Sequence, residues 1–303
     1  MVTNVSETLP SFIVDHGPRY SRVRLYFATA RERYAVYLRR SQGQRPPWTK
    51  DPILINYRFC NVYRELDKVT RWLHDNWREP YRDHPNLVFS MALARLINWP
   101  PTLEAIGFPK RWSPGHAVRV INKRQEAGVK AYTGAYLLGA IPKGANKAEY
   151  LVNSVLTPLY KALRTAELPS RLETAWYYFK SFQGIGDFLA YEIVSDLRHT
   201  HYLRDAPDIL TWANAGPGAL RGLTRLWGFQ PKTQRLIGYN FPKERANEAM
   251  QMLLTESRKQ LPDMPLWEMR EVEHHLCEFD KYLRIKEGQG TLERFRPKAA
   301  DQW

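Results

Sequence analysis

Charged side chains on a predicted helix over residues 53–73 are of the types that move protons or hold anions. Asn61 and Glu65 lie one turn apart, as do Arg64 and Lys68, and both pairs flank an apolar stripe. A positioned carboxylate can accept a proton during catalysis, and cationic groups can stabilise a phosphate. The same pattern also describes ordinary salt bridges on a solvent-facing helix, and the residue types alone favour that simpler interpretation.

A second set of charged residues belongs to the last strong helix, predicted over residues 266–283. Glu273 and Asp280 share a face beside the apolar stripe, and Lys281 directly follows Asp280. The stripe itself predicts the buried side of the helix and consists of Val272, Leu276, Phe279 and Leu283.

A pair of glycines, Gly184 and Gly186, separates a predicted helix over 172–182 from another that begins with Asp187 as its N-cap. The backbone N–H groups of such a turn and the positive end of the following helix can bind one phosphate. This is the pattern of a helix-hairpin-helix, which grips a nucleic-acid backbone without reading its sequence. A plain tight turn is the alternative.

The residues around the glycine pair favour the hairpin over the plain turn. Gln183 precedes the first glycine, and Ile185 is expected to plug the turn into the core. Ala190 is small enough to let the two helices cross closely.

Two further stretches offer weaker signals. Gly216 and Gly218 form a second glycine-rich approach to a helix, followed by Arg221, but no Walker lysine is present to hold a nucleoside triphosphate. His199 and His201 could bind a metal, yet no cysteine or acid triad lies nearby, so a loop is the preferred interpretation.

Composition predicts a folded, basic protein with a polyanionic partner. The 303 residues carry a formal charge of +14, and 44% are hydrophobic. Two cysteines disfavour a disulfide framework and four-cysteine metal sites. No leader pattern or membrane-length apolar run is seen, so we expect a soluble, cytoplasmic protein without a membrane partner.

The pattern of elements predicts an all-α, two-lobed fold, because no period-two segment persists. We expect a basic, aromatic arm and helix over 1–47 and a helical domain over 48–303, with the hairpin element at about 171–197. In the arginine-rich stretch 19–45, the aromatic residues suit either base stacking or inward packing, and both interpretations stay open.

A helix-hairpin-helix followed about twenty residues later by an acid resembles the core of the DNA glycosylase superfamily, in which the acid faces a flipped base. Asp208 fits that position, with Asp205 as the second choice. Phe188 stands where lyase members carry a lysine, which disfavours strand cleavage through a Schiff base. Gln183 replaces a usual proline.

Several short strings together resemble a narrower group, the phage alpha-glutamyl/putrescinyl-thymine pyrophosphorylases, or amino acid:DNA transferases. That group shares its helical domain with 5-hydroxymethyluracil DNA kinases. The resemblance covers roughly residues 50–285. The strings are 61–67, Thr133-Gly134-Ala135-Tyr136, 182–187, 215–222 and 273–282.

The resemblance implies that an activated 5-hydroxymethyluracil in double-stranded DNA loses its phosphate or pyrophosphate to an incoming amine, either an amino acid or a polyamine, in a phage-infected bacterial cell. A carboxylate would deprotonate the amine, and cations would hold the leaving phosphate. The candidate catalytic acids are Asp208, Glu65 and Glu273. The candidate leaving-phosphate residues are Arg64, Lys281, Asn61 and Tyr136. The candidate DNA-binding residues are Gln183, Gly184, Gly186, Gly216, Gly218 and Arg221.

Two other functions stay open on the sequence. A monofunctional DNA glycosylase would use Asp208 to stabilise positive charge at the sugar or to activate water, without any amine. A DNA-binding protein without chemistry would account for the net charge and the hairpin. The sequence shows no recognisable cofactor or metal site, although a divalent ion held through the leaving phosphate would leave little trace in it.

Overall fold

The computed structural model describes residues 17–133, 141–229 and 241–289. Within these ranges the chain is helical and contains no strand, which confirms the predicted all-α class. The α-helices are α1 Tyr20–Ser41, α2 Pro52–Asn56, α3 Lys68–Leu73, α4 Leu87–Ile97, α5 Pro100–Ile106, α6 Pro114–Glu126, α7 Lys147–Glu149, α8 Thr157–Leu163, α9 Leu172–Lys180, α10 Asp187–Leu197, α11 Pro217–Trp227, α12 Ala246–Gln260 and α13 Met269–Lys286.

Shorter helical turns complete the set. Two are 3₁₀ turns, Arg64–Leu66 and Lys243–Arg245. Two are π-helical segments, His74–Arg78 after α3 and Tyr150–Leu156 between α7 and α8. None of the described helices is both long enough and apolar enough to cross a bilayer.

The chain divides into two compact units. Among the described residues, unit 1 contains 17–63 and 215–289, with α1, α2, α11, α12 and α13. Unit 2 contains residues 64–214, with α3 to α10. The expected division near residue 47 is a different one and stays a prediction.

Unit 1 is built around the close packing of α11 on α13. A Cβ added to Gly218 would lie 2.3 Å from Cys277 Sγ, and one added to Gly222 would lie 2.4 Å from the Leu276 carbonyl oxygen. Glycines spaced by four residues therefore let the two backbones approach. The apolar stripe predicted for the last helix is confirmed, since all four of its residues are buried.

Helix α1 completes unit 1 by turning its aromatic face inward. Tyr26 and Phe27 are buried and pack edge-on to each other, with ring centroids 5.0 Å apart. Trp267 and Phe279 contact the Tyr26 ring from the α13 side, and the Tyr26 hydroxyl donates to the Val272 carbonyl at 3.2 Å. Inward packing thus holds for this part of the arginine-rich stretch.

Unit 2 is centred on α4, in which every residue is buried. Its one charged residue, Arg95, pairs through two donors with Asp196 of α10, and a further donor contacts Thr70 Oγ1 at 2.9 Å. A buried arginine requires such a complete set of partners, because an unpaired charge in the interior is costly.

The prediction of a single continuous helix over 53–73 is wrong. Helix α2 starts as expected, with the Asp51 side chain accepting from the Ile53 and Leu54 amides, but it ends at Asn56. In the segment that follows, backbone groups form hydrogen bonds with side chains of another helix. Lys281 donates to the Arg58 carbonyl, and Glu278 accepts from the Cys60 amide at 3.2 Å. Tertiary contacts therefore override the helical periodicity.

Candidate functional site

The hairpin of unit 2 has one face closed and one open. Gly184 has φ +79°, and a Cβ there would meet Val155 Cγ2 at 2.8 Å. Ile185 is buried and plugs the turn, as predicted, and Ala190 is fully buried. Around Gly186, a Cβ would meet nothing within 4 Å. The turn therefore rests on the core through Gly184 and leaves space in front of Gly186.

The N-cap of the second hairpin helix differs from the prediction. Gly186 is the N-cap of α10, and Asp187 is the first helical residue, so the Asp187 side chain does not cap the helix. Its carboxylate instead lies 2.8 Å from Lys180 Nζ. Gly186 has φ −84° and ψ −179°, a backbone conformation that any residue can adopt. Gln183 donates to the Tyr150 hydroxyl at 3.4 Å.

Asp208, expected as a catalytic acid, is fully buried beneath the first hairpin helix. Its Oδ1 accepts from the Leu172 amide at 2.8 Å, and its Oδ2 accepts from the Glu173 amide at 3.0 Å. Arg171 Nε lies 3.9 Å from Oδ2. The carboxylate thus satisfies two amides at the N-terminus of α9 that have no partner within the helix.

Arg64 and Glu65 lie in the 3₁₀ turn that begins unit 2, and each is bound to an oppositely charged group. Arg64 is buried and pairs with Glu192 of α10, which is also buried. Loss of either partner would leave the other as an unpaired buried charge, which is costly.

Glu65 faces both a cation and an imidazole. Arg78 reaches it through two donors, and His199 Nε2 lies 3.4 Å from Glu65 Oε1. The Glu65 side chain remains 28% exposed. A carboxylate beside an imidazole is an arrangement that can transfer a proton. Sequence reasoning assigned His199 to a loop and missed this contact, because the two residues lie far apart in the chain.

The candidate residues of unit 1 are tied to backbone groups. Glu273 Oε1 lies 3.5 Å from the Gly216 amide at the N-terminus of α11. The Asn61 carbonyl accepts from Arg33 and from His274, each at 3.2 Å. Lys281 donates to the Arg58 carbonyl, and its Nζ is 4.7 Å from the Phe59 ring centroid.

The second glycine-rich stretch also packs within unit 1. Gly216 is the N-cap of α11, and Gly218 lies against Cys277. Arg221 Nε donates to Asp280 Oδ2 at 2.8 Å. The packing of Gly218 into α13 accounts for the glycine without a nucleic-acid contact. Tyr136 lies outside the described residues.

The candidates fall into two sets. The hairpin residues, Asp208, Arg64 and Glu65 belong to unit 2, whereas Asn61, Glu273, Lys281, Gly216, Gly218 and Arg221 belong to unit 1. Within unit 2 the structure brings together Glu65 and His199, and within unit 1 it brings together Glu273 and Gly216.

Comparison with known proteins gives two matches. A profile of the family described as "5-hmdU DNA kinase, helical domain" matches residues 21–291. The 5-hmdU DNA kinase of Bacillus phage SP10 is 30% identical over 224 residues, which are 66% of this chain and 35% of that protein. The chain therefore spans about a third of that relative's length. No solved structure matches.

Proposed function

Since the chain belongs to the family of the helical domain of 5-hmdU DNA kinases, we propose that it acts on phage DNA that carries 5-hydroxymethyluracil. The observation that carries this proposal is the hairpin, whose open face at Gly186 and helix N-terminus suit a backbone phosphate. The formal charge of +14 supports the same class of partner.

The reaction we propose is amine transfer to an activated base. The base leaves the stack, which costs a few kcal/mol, so that its 5-methylene carbon becomes accessible. An incoming ammonium loses a proton, its nitrogen forms a bond to that carbon, and the carbon–oxygen bond to the (pyro)phosphate breaks with its electron pair on the departing oxygen. The positive nitrogen then releases a second proton to water.

Among the three candidate acids, Glu65 is the best placed to serve the proton transfer. Asp208 has both oxygens engaged by backbone amides in a fully buried position. Glu65 is partly exposed and adjoins His199, so the pair can pass a proton from the amine to the imidazole. Arg78 orients the carboxylate through its two donors.

Phosphorylation of 5-hydroxymethyluracil, the reaction named for the phage SP10 relative, is the second candidate. The 303 residues contain no Walker pattern for ATP, and about two-thirds of that relative lies outside the matched region. The shared helical domain supports recognition of the same base rather than the phosphate transfer. A glycosylase is third, and the engagement of Asp208 weighs against it.

One assay separates these activities. The protein is incubated with duplex DNA that contains pyrophosphomethyl-uracil and an amino acid and polyamine mixture, and in parallel with 5-hydroxymethyluracil DNA and ATP. Digestion to nucleosides and mass analysis follow. We expect an aminomethyl-type nucleoside in the first reaction. Amine transfer would be contradicted by a phosphorylated nucleoside in the second reaction, by an abasic site, or by unchanged DNA in both reactions.

The role of Glu65 is tested with Glu65→Gln, which keeps the size of the side chain and removes its charge. The rate should fall by about a hundredfold or more. Glu32→Gln is the matched control, because Glu32 also pairs with an arginine, Arg39, but on the exposed part of α1. A Glu65→Gln protein that transfers amine at the wild-type rate would assign Glu65 a purely structural role.

A further inference from the structure

Three arginines of unit 1 surround one buried carboxylate. Asp280 of α13 is fully buried; its Oδ1 accepts from Arg225 at 2.8 Å and its Oδ2 accepts from Arg221, also at 2.8 Å. Arg284 Nε lies 3.2 Å from the same Oδ2. One carboxylate balances one of these cations, and Glu287, 2.7 Å from Arg225, balances a second. Among these five groups, one positive charge remains in excess.

The terminal nitrogens distinguish the three arginines. Arg225 has both engaged, one by Glu287 and the other by the Gln289 side chain at 2.6 Å. The terminal nitrogens of Arg221 and Arg284 make no hydrogen bond to any residue that the structure describes. The two side chains are 21% and 19% exposed. Arg225 thus stabilises the cluster, whereas the terminal donors of Arg221 and Arg284 have no partner among the described residues.

Asp280 Oδ2 keeps the two guanidinium groups close together: Arg221 Nε donates to it, whereas Arg284 Nε lies 3.2 Å away as an ion pair without a hydrogen bond. Both Nε atoms contact Asp280 Oδ2, so they cannot be farther apart than the sum of those two contacts. Two neighbouring forks match the oxygens of a phosphate, since arginine binds such groups through two parallel N–H donors. A carboxylate that holds the forks in advance lowers the entropic cost of binding.

We propose that Arg221 and Arg284 form a phosphate-binding clamp held by Asp280. Its ligand is a phosphate group with at least two free oxygens, either a backbone phosphodiester of DNA or an inorganic pyrophosphate. The clamp does not depend on the amine-transfer reaction, so a failure of that reaction leaves the clamp intact and a failure of the clamp leaves the reaction open.

The test uses the double variant Arg221→Gln/Arg284→Gln of the full chain. Binding of inorganic pyrophosphate is measured by calorimetry, and binding of an unmodified duplex by fluorescence anisotropy over a range of salt. We expect one of the two ligands to bind at least about tenfold more weakly. If the ligand is the DNA backbone, the salt slope should also fall by about one.

The matched control is Arg258→Gln/Lys259→Gln, which removes the same charge from exposed positions of α12. Loss of pyrophosphate binding alone identifies a free phosphate as the ligand, and loss of duplex affinity with the lower slope identifies the backbone. If the double variant binds both ligands like the control, the clamp is wrong and the three arginines only neutralise Asp280.

Folding is followed by circular dichroism. Should the double variant unfold, the single variants Arg221→Lys and Arg284→Lys keep the charge and remove the fork. Each is expected to weaken binding of the same ligand several-fold, and wild-type affinity in both would equally refute the clamp. Arg225→Lys provides the contrast, because its terminal nitrogens are already engaged: it should lose stability rather than phosphate affinity.

Discussion

Single carboxylates in this protein differ chiefly in what already occupies their oxygens. Asp208 accepts two backbone amides, Asp280 holds arginines, and Glu65 adjoins an imidazole. Counting residues from the hairpin identified Asp208 as an acid worth testing. Its partners could not be predicted, because Leu172 and Glu173 precede it by more than thirty residues and only the folded chain brings them to it.

The engagement of Asp208 predicts a loss of stability when its charge is removed. In Asp208→Asn the new side chain is neutral and offers only one oxygen, so one α9 amide would face an NH₂ group. We expect the free energy of unfolding to fall by about 1–3 kcal/mol in urea titrations. Asp205→Asn is the control, since Asp205 is exposed; equal stability of the two variants would contradict the capping role.

His275 predicts a dependence of stability on pH. It is fully buried, accepts from Arg33 at 2.6 Å and donates to the Tyr26 carbonyl at 2.7 Å. Burial, and then the Arg33 charge, hold its pKa well below the usual value of 6.5. The folded protein keeps this imidazole neutral below pH 6.5, whereas the unfolded chain binds a proton there.

The free energy of unfolding should therefore fall as the pH drops below 6.5, by up to about 1.4 kcal/mol per pH unit for this one group until the folded-state pKa is reached. Urea unfolding between pH 7 and pH 5 measures that slope. His275→Gln should reduce it, and His201→Gln, at an exposed position, should not. The same slope in the wild type and in His275→Gln would show that other groups cause it.

At the level of elements, the hairpin was the part of the fold that sequence described best. The two helices, the turn between them and the burial of Ile185 were predicted from local spacing, and the structure confirms them. The prediction of one helix over 53–73 was wrong because this segment is shaped by residues distant in the chain. The backbone of residues 58–61 is bound by side chains of α1 and α13, and no local pattern reports partners so distant in the chain.

The two hairpin glycines should respond differently to the same substitution. Gly186→Ala adds a Cβ in open space at an ordinary φ, so folding should survive while a phosphate is kept away. Duplex affinity should fall alike for all sequences. Gly184→Ala forces a positive φ on alanine and meets Val155, so it should lower the unfolding free energy by at least about 1 kcal/mol.

Anisotropy titrations and thermal melts of both hairpin variants measure these effects. The open face of the hairpin would lose its assigned role if Gly186→Ala bound duplex DNA as tightly as the wild type.

The packing of α11 on α13 predicts a coupling between two positions. Gly218→Ala would press a Cβ on Cys277 Sγ and should destabilise the protein by about 1–3 kcal/mol. Cys277→Ala removes that sulfur. In the double variant, the Gly218→Ala substitution should lower the free energy of unfolding by less than it does alone. A double-mutant cycle from urea melts measures that difference. If the two changes in unfolding free energy were strictly additive, Cys277 would not be the residue that limits how closely α11 approaches α13.

For the whole molecule, the formal charge of +14 predicts binding that is steeply dependent on salt. The logarithm of the duplex association constant should fall linearly with the logarithm of salt concentration. Each phosphate neutralised by Lys or Arg contributes a slope of about −0.9. The same relation predicts that duplex affinity falls about tenfold or more between 50 and 200 mM salt. If the affinity did not change over that range, the net charge would have no role in binding nucleic acid.

The order in which the two units occur along the chain bears on how the protein is made. Among the described residues unit 2 is one continuous stretch, 64–214, so its packing can form before α11 to α13 are synthesised. Unit 1 cannot, because Tyr26 and Arg33 of α1 wait for partners in α13, more than two hundred residues later. On the ribosome, the apolar side of α1 therefore stays uncovered until α13 has been synthesised, and chaperones should bind that helix in the meantime.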